Sequence, residues 1–238
     1  MEILRAFRPG TELLGNGDLA ERTGLSRATV SRLTQTLVGA GFLEHDPASR
    51  AYRLGAPVLS LAHAMHTGSS LLQAAAPLMR ALARELRVNV GLAAPDRDEM
   101  VYLESVRYHG KPSLRTVVAG QRIPMELTSL GRAYLAAAAP EERAERMAHF
   151  KARRGADWPR LEAEIAQAME SVRRDGYCAA SWQAQVVALA TPLVLPYRAL
   201  HVLNLSVATE LELPAVVREL QRPLLDLAQR IRHAVEAV

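Results

Sequence analysis

Residues 19–33 constrain this chain more than any other stretch. Two helix-compatible segments flank a three-residue turn that contains Gly24. So short a connection forces the two helices to cross steeply, which is helix-turn-helix geometry. Asp18 with Glu21 three residues later has the form of a capping box opening the first helix, and Gly24 stops that helix after Thr23. Ser26 is placed to cap the second helix, which can run to about Gly39 before Gly41 ends it. Leu25, Val30 and Leu33 would lock the second helix onto the first, with Ala20 small where they touch. Ahead of this pair, residues 2–7 read as a short helix closed by Pro9 and Gly10. After it, residues 42–45 and 51–54 read as two short strands around the turn cluster of Asp46, Pro47, Ala48, Ser49 and Arg50.

That arrangement leaves Ser26, Arg27, Thr29, Ser31, Arg32 and Gln35 on the outer side of the second helix. A helix of this kind fits the major groove of double-stranded DNA, where arginine can take a guanine edge with both arms. Hydroxyls and helix-start amides hold phosphates. Arg50 and Arg53 on the following hairpin are placed as wing contacts. From residue 22 to 53 five arginines face two acids, a local net of +3, within a chain whose net charge is +4. Nearly all positive charge is arginine, since Lys111 and Lys151 are the only lysines. The alternative is an ordinary helical hairpin with a solvated basic face.

Beyond residue 55 the period changes twice. Leu59, Ala62, Met65 and Leu72 recur at helical spacing across a break at Gly68, and Leu78, Leu82 and Leu86 give a second amphipathic stretch from about Pro77. From Val88 the period becomes two. Residues 88–94 and 100–106 predict a hairpin, residues 114–118 a third strand, and residues 186–195 and 199–207 a late pair. Helices are predicted at 128–138, 141–151 and 158–174. A last one from Pro214 carries Val217, Leu220, Leu224, Leu227 and Ile231 as its buried stripe.

Several function classes drop out. A hydrophobic fraction of 49% supplies a core and excludes a disordered chain. The single cysteine, Cys178, cannot staple a secreted fold and points to a reducing compartment. No run of apolar residues is long enough for a membrane span, and no signal peptide is visible, so a cytoplasmic protein is expected. Nucleophile-elbow, zinc-protease, phosphate-loop and dinucleotide fingerprints are absent, so neither enzyme chemistry nor a cofactor is expected. His63 and His66 lie three apart on a predicted helix without a carboxylate to complete a metal set, and no metal is expected. Cys178 reads as a small core residue rather than a reactive thiol, and His109 beside Lys111 as a surface loop.

The stretch from Leu19 to Leu54, with its Thr23-Gly24-Leu25 turn and its Tyr52-Arg53-Leu54-Gly55 wing end, resembles the winged helix of the IclR family of bacterial transcriptional regulators. The run from Gly120 to Met125 followed by Thr128-Ser129-Leu130-Gly131-Arg132-Ala133-Tyr134-Leu135-Ala136, and Asp175-Gly176-Tyr177, are similar to that family's effector-domain signatures. The local pattern around 122–125 and 131–135 is closest to its regulators of aromatic-acid catabolism. The resemblance covers essentially the whole chain. It implies an α+β protein with a winged helix-turn-helix DNA-binding domain at 1–55, a dimerising linker helix at 56–76 and a GAF-like effector-binding domain with an antiparallel sheet at 77–238. It further implies a homodimer, with tetramers left open, a near-palindromic operator, and a small organic acid as effector, an aromatic acid being the narrower expectation. Met125, Thr128, Trp182, Ala188, Asn204 and Ser206 are the implied effector residues. The family often carries cysteine at the Ala188 position and serine at the Asn204 position, and an acidic segment before that strand is missing here. Repression and activation stay open. The runner-up is an enzyme or metabolite-binding module whose helix-turn-helix serves only protein contact.

Overall fold

The computed structural model describes residues 1–108, 118–183 and 185–237. It divides into two compact units, Met1–Ser69 and Ser70–Val238.

The first unit runs α1 (Glu2–Arg5), β1 (Leu14–Gly15), α2 (Asn16–Thr23), α3 (Arg27–Gly39), β2 (Leu43–Asp46), β3 (Ala51–Leu54) and α4 (Ala56–Thr67). Its core gathers Ile3, Phe7, Leu14, Leu19, Val30, Leu43 and Tyr52. The strands β2 and β3 pair antiparallel from Leu43 opposite Leu54 to Asp46 opposite Ala51. β1, which sequence reading took for a turn, adds to the outside of β3. The start of α2 differs from expectation. Gly15 is the cap, and Asp18 lies one turn inside, where its Oδ2 accepts from the Gly15 N–H at 2.9 Å. A carboxylate at that position answers an orphan amide and the positive helix end together, and an extended Gly15 lets it reach back. Gly24 ends α2 as expected, in the left-handed region at φ +70°. In α4 no residue is buried. Leu59 and Met65, read as apolar residues at helical spacing, are solvent-exposed.

The second unit begins with α5 (Ser70–Leu86), which passes through Pro77 instead of starting there. Leu71, Leu72 and Ala75 belong to the same apolar cluster as the rest of that helix. Residues 70–76, expected in the linker, therefore pack with the C-terminal unit. The strands are β4 (Asn89–Asp96), β5 (Glu99–Val106), β6 (Arg122–Pro124), β7 (Cys178–Gln183), β8 (Val186–Leu193) and β9 (His201–Ala208). Among the described residues they form one antiparallel sheet in the order β6-β5-β4-β9-β8-β7. The helices are α6 (Ser129–Ala137), α7 (Pro140–Arg154), α8 (Trp158–Asp175) and α9 (Leu213–Glu236).

Alternation along each strand sorts the core into two faces. Val90, Leu92, Leu189, Leu203 and Leu205 meet α5 and α9. Ala93, Tyr102, Ala190, Val202 and Cys178 meet α6 and α8. In α9 Val216 is buried where Val217 was expected, and Val217 is half-buried beside it. β6 and β7 were not foreseen: one is three residues long, and the other lacks the strict alternation that marks a strand. Residues 114–117 of the expected third strand, with His109 and Lys111, lie outside the described residues. No helix is long and apolar enough to cross a membrane among the described residues.

Candidate nucleic-acid interface and ligand site

α3 is held by its inner side and offers its outer side. Val30 and Thr34 are buried, the Thr34 hydroxyl donating to the Val30 carbonyl at 3.0 Å. Ser26 caps the helix as expected, its Oγ accepting from the Thr29 N–H at 3.2 Å. The hydroxyls of Ser26 and Thr29 also bond each other at 2.9 Å, so this pair is pre-set at the helix start. Arg27, Arg32 and Gln35 are exposed, Ser31 is half-buried, and neither arginine has an ion-pair partner among the described residues. The wing tip presents Arg50, exposed and left-handed at φ +52°. Arg53 differs from expectation: it is half-buried, and its guanidinium lies 3.6 Å from Asp46. Asp46 also accepts from the Ala48 N–H and the Ser49 hydroxyl, and the Ser49 bond leads the influences that lower its pKa. Arg53 thus braces the hairpin turn as much as it offers charge outward. Arg22, on α2, is tied back to the Ala6 carbonyl at 3.0 Å.

In the second unit, Ala188, Asn204 and Ser206 share one face of the sheet. Ala188 stands opposite Ser206, and Asn204 stands between Ala190 and Gly91. This face carries mostly small side chains and lies on the α6 side. Thr128 caps α6, accepting from the Gly131 N–H at 3.3 Å and donating to the Pro124 carbonyl at 2.9 Å, so its hydroxyl already has both roles filled. Met125 is fully buried in the same cluster. Trp182 departs from the expected site: it sits on the edge strand β7, 37% exposed, in neither core cluster. The register shift after Ala180 carries it out of the row that Ala180 and Ala188 define.

Two residues of this face escaped the sequence reading. Gly91 on β4 has no side chain, and the space a Cβ would take is filled by the Tyr102 ring and the Asn204 carboxamide oxygen. A glycine inside a strand was the available signal for such a close approach. Tyr102 on β5 is buried, its ring beside the Asn204 carboxamide oxygen over Gly91. Burial pushes the phenol well above its ordinary range, so it stays protonated. Cys178 is buried with its thiol 3.4 Å from the Ser129 carbonyl. Burial pushes that thiol up to about 12, which makes it a packing group and not a nucleophile at neutral pH. Among the described residues no three His, Cys, Asp or Glu side chains converge as a metal would need.

The IclR helix-turn-helix domain matches residues 1–47, and the bacterial transcriptional regulator IclR C-terminal domain matches residues 63–233. The chain belongs to the IclR family. It carries both domains of that family, whose members are transcriptional regulators and not enzymes. One IclR-family relative, the HTH-type transcriptional regulator TsaQ1/TsaQ2 of Comamonas testosteroni, is 38% identical over 181 residues, which are 74% of this chain and 64% of that protein. The chain thus spans slightly under two thirds of that relative's length. The crystal structure of an IclR family regulator from Brucella abortus superposes with a TM-score of 0.87 at 33% identity, over 98% of this chain and 89% of the other. An IclR homologue from Microbacterium hydrocarbonoxydans in complex with 4-hydroxybenzoate superposes with a TM-score of 0.75 at 25% identity, over 100% and 97% of the two chains. These matches establish the α+β architecture expected for an IclR protein, with a helix-turn-helix in the N-terminal unit and a curved antiparallel sheet in the C-terminal unit.

Proposed function

We propose that this IclR regulator is a cytoplasmic homodimer that binds a near-palindromic operator and senses a small organic acid. The observation that carries the DNA-contact reading is the exposure of Arg27 and Arg32 on a helix whose opposite side is anchored by Val30 and whose start is capped by Ser26. Arg27, Arg32 and Gln35 meet base edges, the Ser26, Thr29 and Ser31 region meets phosphate, and Arg50 with Arg53 extends the contact from the wing. Two such heads read half-sites about one helical turn apart.

The dimer reading is supported by α4, an apolar helix with Leu59 at 76%, Leu61 at 59% and Met65 at 53% exposure. Side chains of this kind on one helix are better covered by a second copy than left in water. The effector reading is supported by the small-residue face around Ala188, Asn204 and Ser206, by Met125 and Thr128 at the start of α6, and by the 4-hydroxybenzoate complex of the Microbacterium relative. An aromatic acid fits this reading best. Effector binding shifts DNA occupancy through a coupling of about 1–3 kcal/mol, or roughly 5–150-fold.

A gel-shift titration with the DNA upstream of the gene, across a salt series, tests the proposal. Arg27→Ala and Arg32→Ala each weaken specific binding by about 1–3 kcal/mol with little effect on thermal stability. Unchanged operator affinity in both variants overturns the assignment of α3 as the reading helix.

A further inference from the structure

The hairpin of α7 and α8 leaves a space that the core does not fill. The two helices are joined by the single turn Gly155–Asp157, and between them lies an open groove of about 480 Å³. Ala144 on α7 and Ala166 on α8 both line it, and both stay exposed. Side chains this small leave the groove open where a larger pair would fill it. Its apolar floor is Met147 and Met169, half-buried and packed against the α6–α8 cluster. Methionine is flexible and polarisable, so a surface lined by it adapts to apolar chains of different shape. No residue of the candidate effector face lines this groove.

Charge in the groove is unevenly placed. Arg143 is half-buried and donates through Nη1 alone, to the Leu135 and Ala138 carbonyls at 3.3 and 3.5 Å, so its Nε and Nη2 have no partner among the described residues. Tied in this way to the end of α6, Arg143 needs little ordering before it meets an anion. Arg173 pairs with Glu170 at 2.8 Å, with both side chains more than half exposed. A bridge that exposed contributes little and is readily exchanged. The acid that lines the groove, Glu162, lies about 16 Å from Arg173 along α8. The lining is therefore long, apolar along its floor and net positive.

We propose that the α7–α8 groove is a ligand site apart from the effector face, and that it takes a linear amphipathic carboxylate, the class of a medium-chain fatty acid. The carboxylate meets Arg143 and Arg173, and the hydrocarbon chain lies over Met147 and Met169. The volume falls within the usual range of small-molecule sites. Both cations lining the groove are arginines, whose planar fork matches a carboxylate. The methionine floor brings no hydrogen-bond donor, so it selects an apolar tail over a hydroxylated one. The inference does not depend on the effector reading.

Methyl NMR of the full chain, titrated with octanoate and with octanol, tests it. Octanoate should shift the Met147 and Met169 methyl signals saturably, whereas a shift confined to Met125 would report the effector face instead. Octanol, which has the same tail without the charge, should bind at least about tenfold more weakly. Arg173→Gln should weaken octanoate binding about tenfold. Ala166→Trp, at an exposed position that the core does not use, should fill the groove and abolish binding with the melting temperature little changed. Octanoate that leaves Met147 and Met169 unmoved, equal affinity for octanol, or unchanged binding in both variants overturns the proposal. An acidic helical peptide of leucine and glutamate that moves the two methyls where octanoate does not overturns it in favour of a protein partner.

Discussion

The carboxylate of Glu126 is wholly buried and accepts from Arg154 Nε at 2.9 Å. Arg153 donates to the same oxygen at 2.8 Å and, with its other arm, to Asp98 at 2.9 Å. The end of α7 is thereby stitched to the loop before α6 and to the β4–β5 turn. Removing the partners of a buried charge is among the most costly changes a core can undergo. Arg153→Ala combined with Arg154→Ala is expected to cost about 3 kcal/mol, toward the lower end of the range for such losses, because solvent already reaches both guanidiniums. Urea melts of the double variant followed by near-ultraviolet circular dichroism check this; a midpoint within error of the parent contradicts it.

Ser26 carries the start of α3 on one side-chain bond to the Thr29 N–H. Ser26→Ala should lower the stability of the N-terminal unit by about 1 kcal/mol, whereas Ser26→Asp, which can still cap, should restore most of it. Hydrogen exchange of the amides at the start of α3 reads this directly, with faster exchange in the alanine variant and near-parental rates in the aspartate variant.

Among the protons held more tightly in the folded than in the unfolded chain are those of Cys178 and Tyr134. Burial raises the Cys178 thiol from 9.0 to about 12. Burial, and then the bond to Glu142, raises the Tyr134 phenol from 10.0 to about 12. Between pH 9 and 12 the unfolded chain releases these protons while the folded chain keeps them, so folding stability falls as the pH rises through that window. Below pH 9 neither group contributes a pH dependence. Thermal melts at pH 7, 9 and 10.5 should show a melting temperature that is flat and then declines, and Cys178→Ala with Tyr134→Phe should lessen the decline. The same burial predicts that a thiol reagent at pH 8 labels Cys178 in urea but not in the native protein.

Charge on the exposed side of α4 separates self-association from folding. Leu59→Lys with Met65→Lys replaces two solvent-facing apolar side chains, so the fold of each unit should be unaffected. Sedimentation velocity at micromolar concentration is expected to move from dimer to monomer, with a corresponding loss of affinity for a two-half-site operator. A parent chain that is already monomeric contradicts the dimer proposal.

Much of the DNA-binding unit was legible in the sequence because its determinants are close along the chain. Ser26 caps, Gly24 turns and Gly41 terminates through contacts with residues a few positions away, and the arginines of α3 point outward because Val30 points inward. The start of α2 was misread because Asp18 suits both the cap and the third helical position, and only the extended backbone of Gly15 decides between them. In the second unit, the placing of Ala188 on one late strand and of Asn204 and Ser206 on the other followed from family resemblance, while the register shift after Ala180, which takes Trp182 out of that row, leaves no mark in composition.

The amino-acid sequence by itself determined the element types, the polarity of each strand face and the family, since these depend on short-range periodicity and local backbone preference. The tertiary structure alone decided that Leu71 and Leu72 pack with the C-terminal core, that Arg53 turns partly inward to Asp46, and that Tyr102 and Asn204 meet over Gly91. The reason is range. A cap or a turn is settled within a few residues, whereas the side chain packed beside a buried residue can come from a strand about a hundred residues away, and no local pattern encodes which strand will lie beside it.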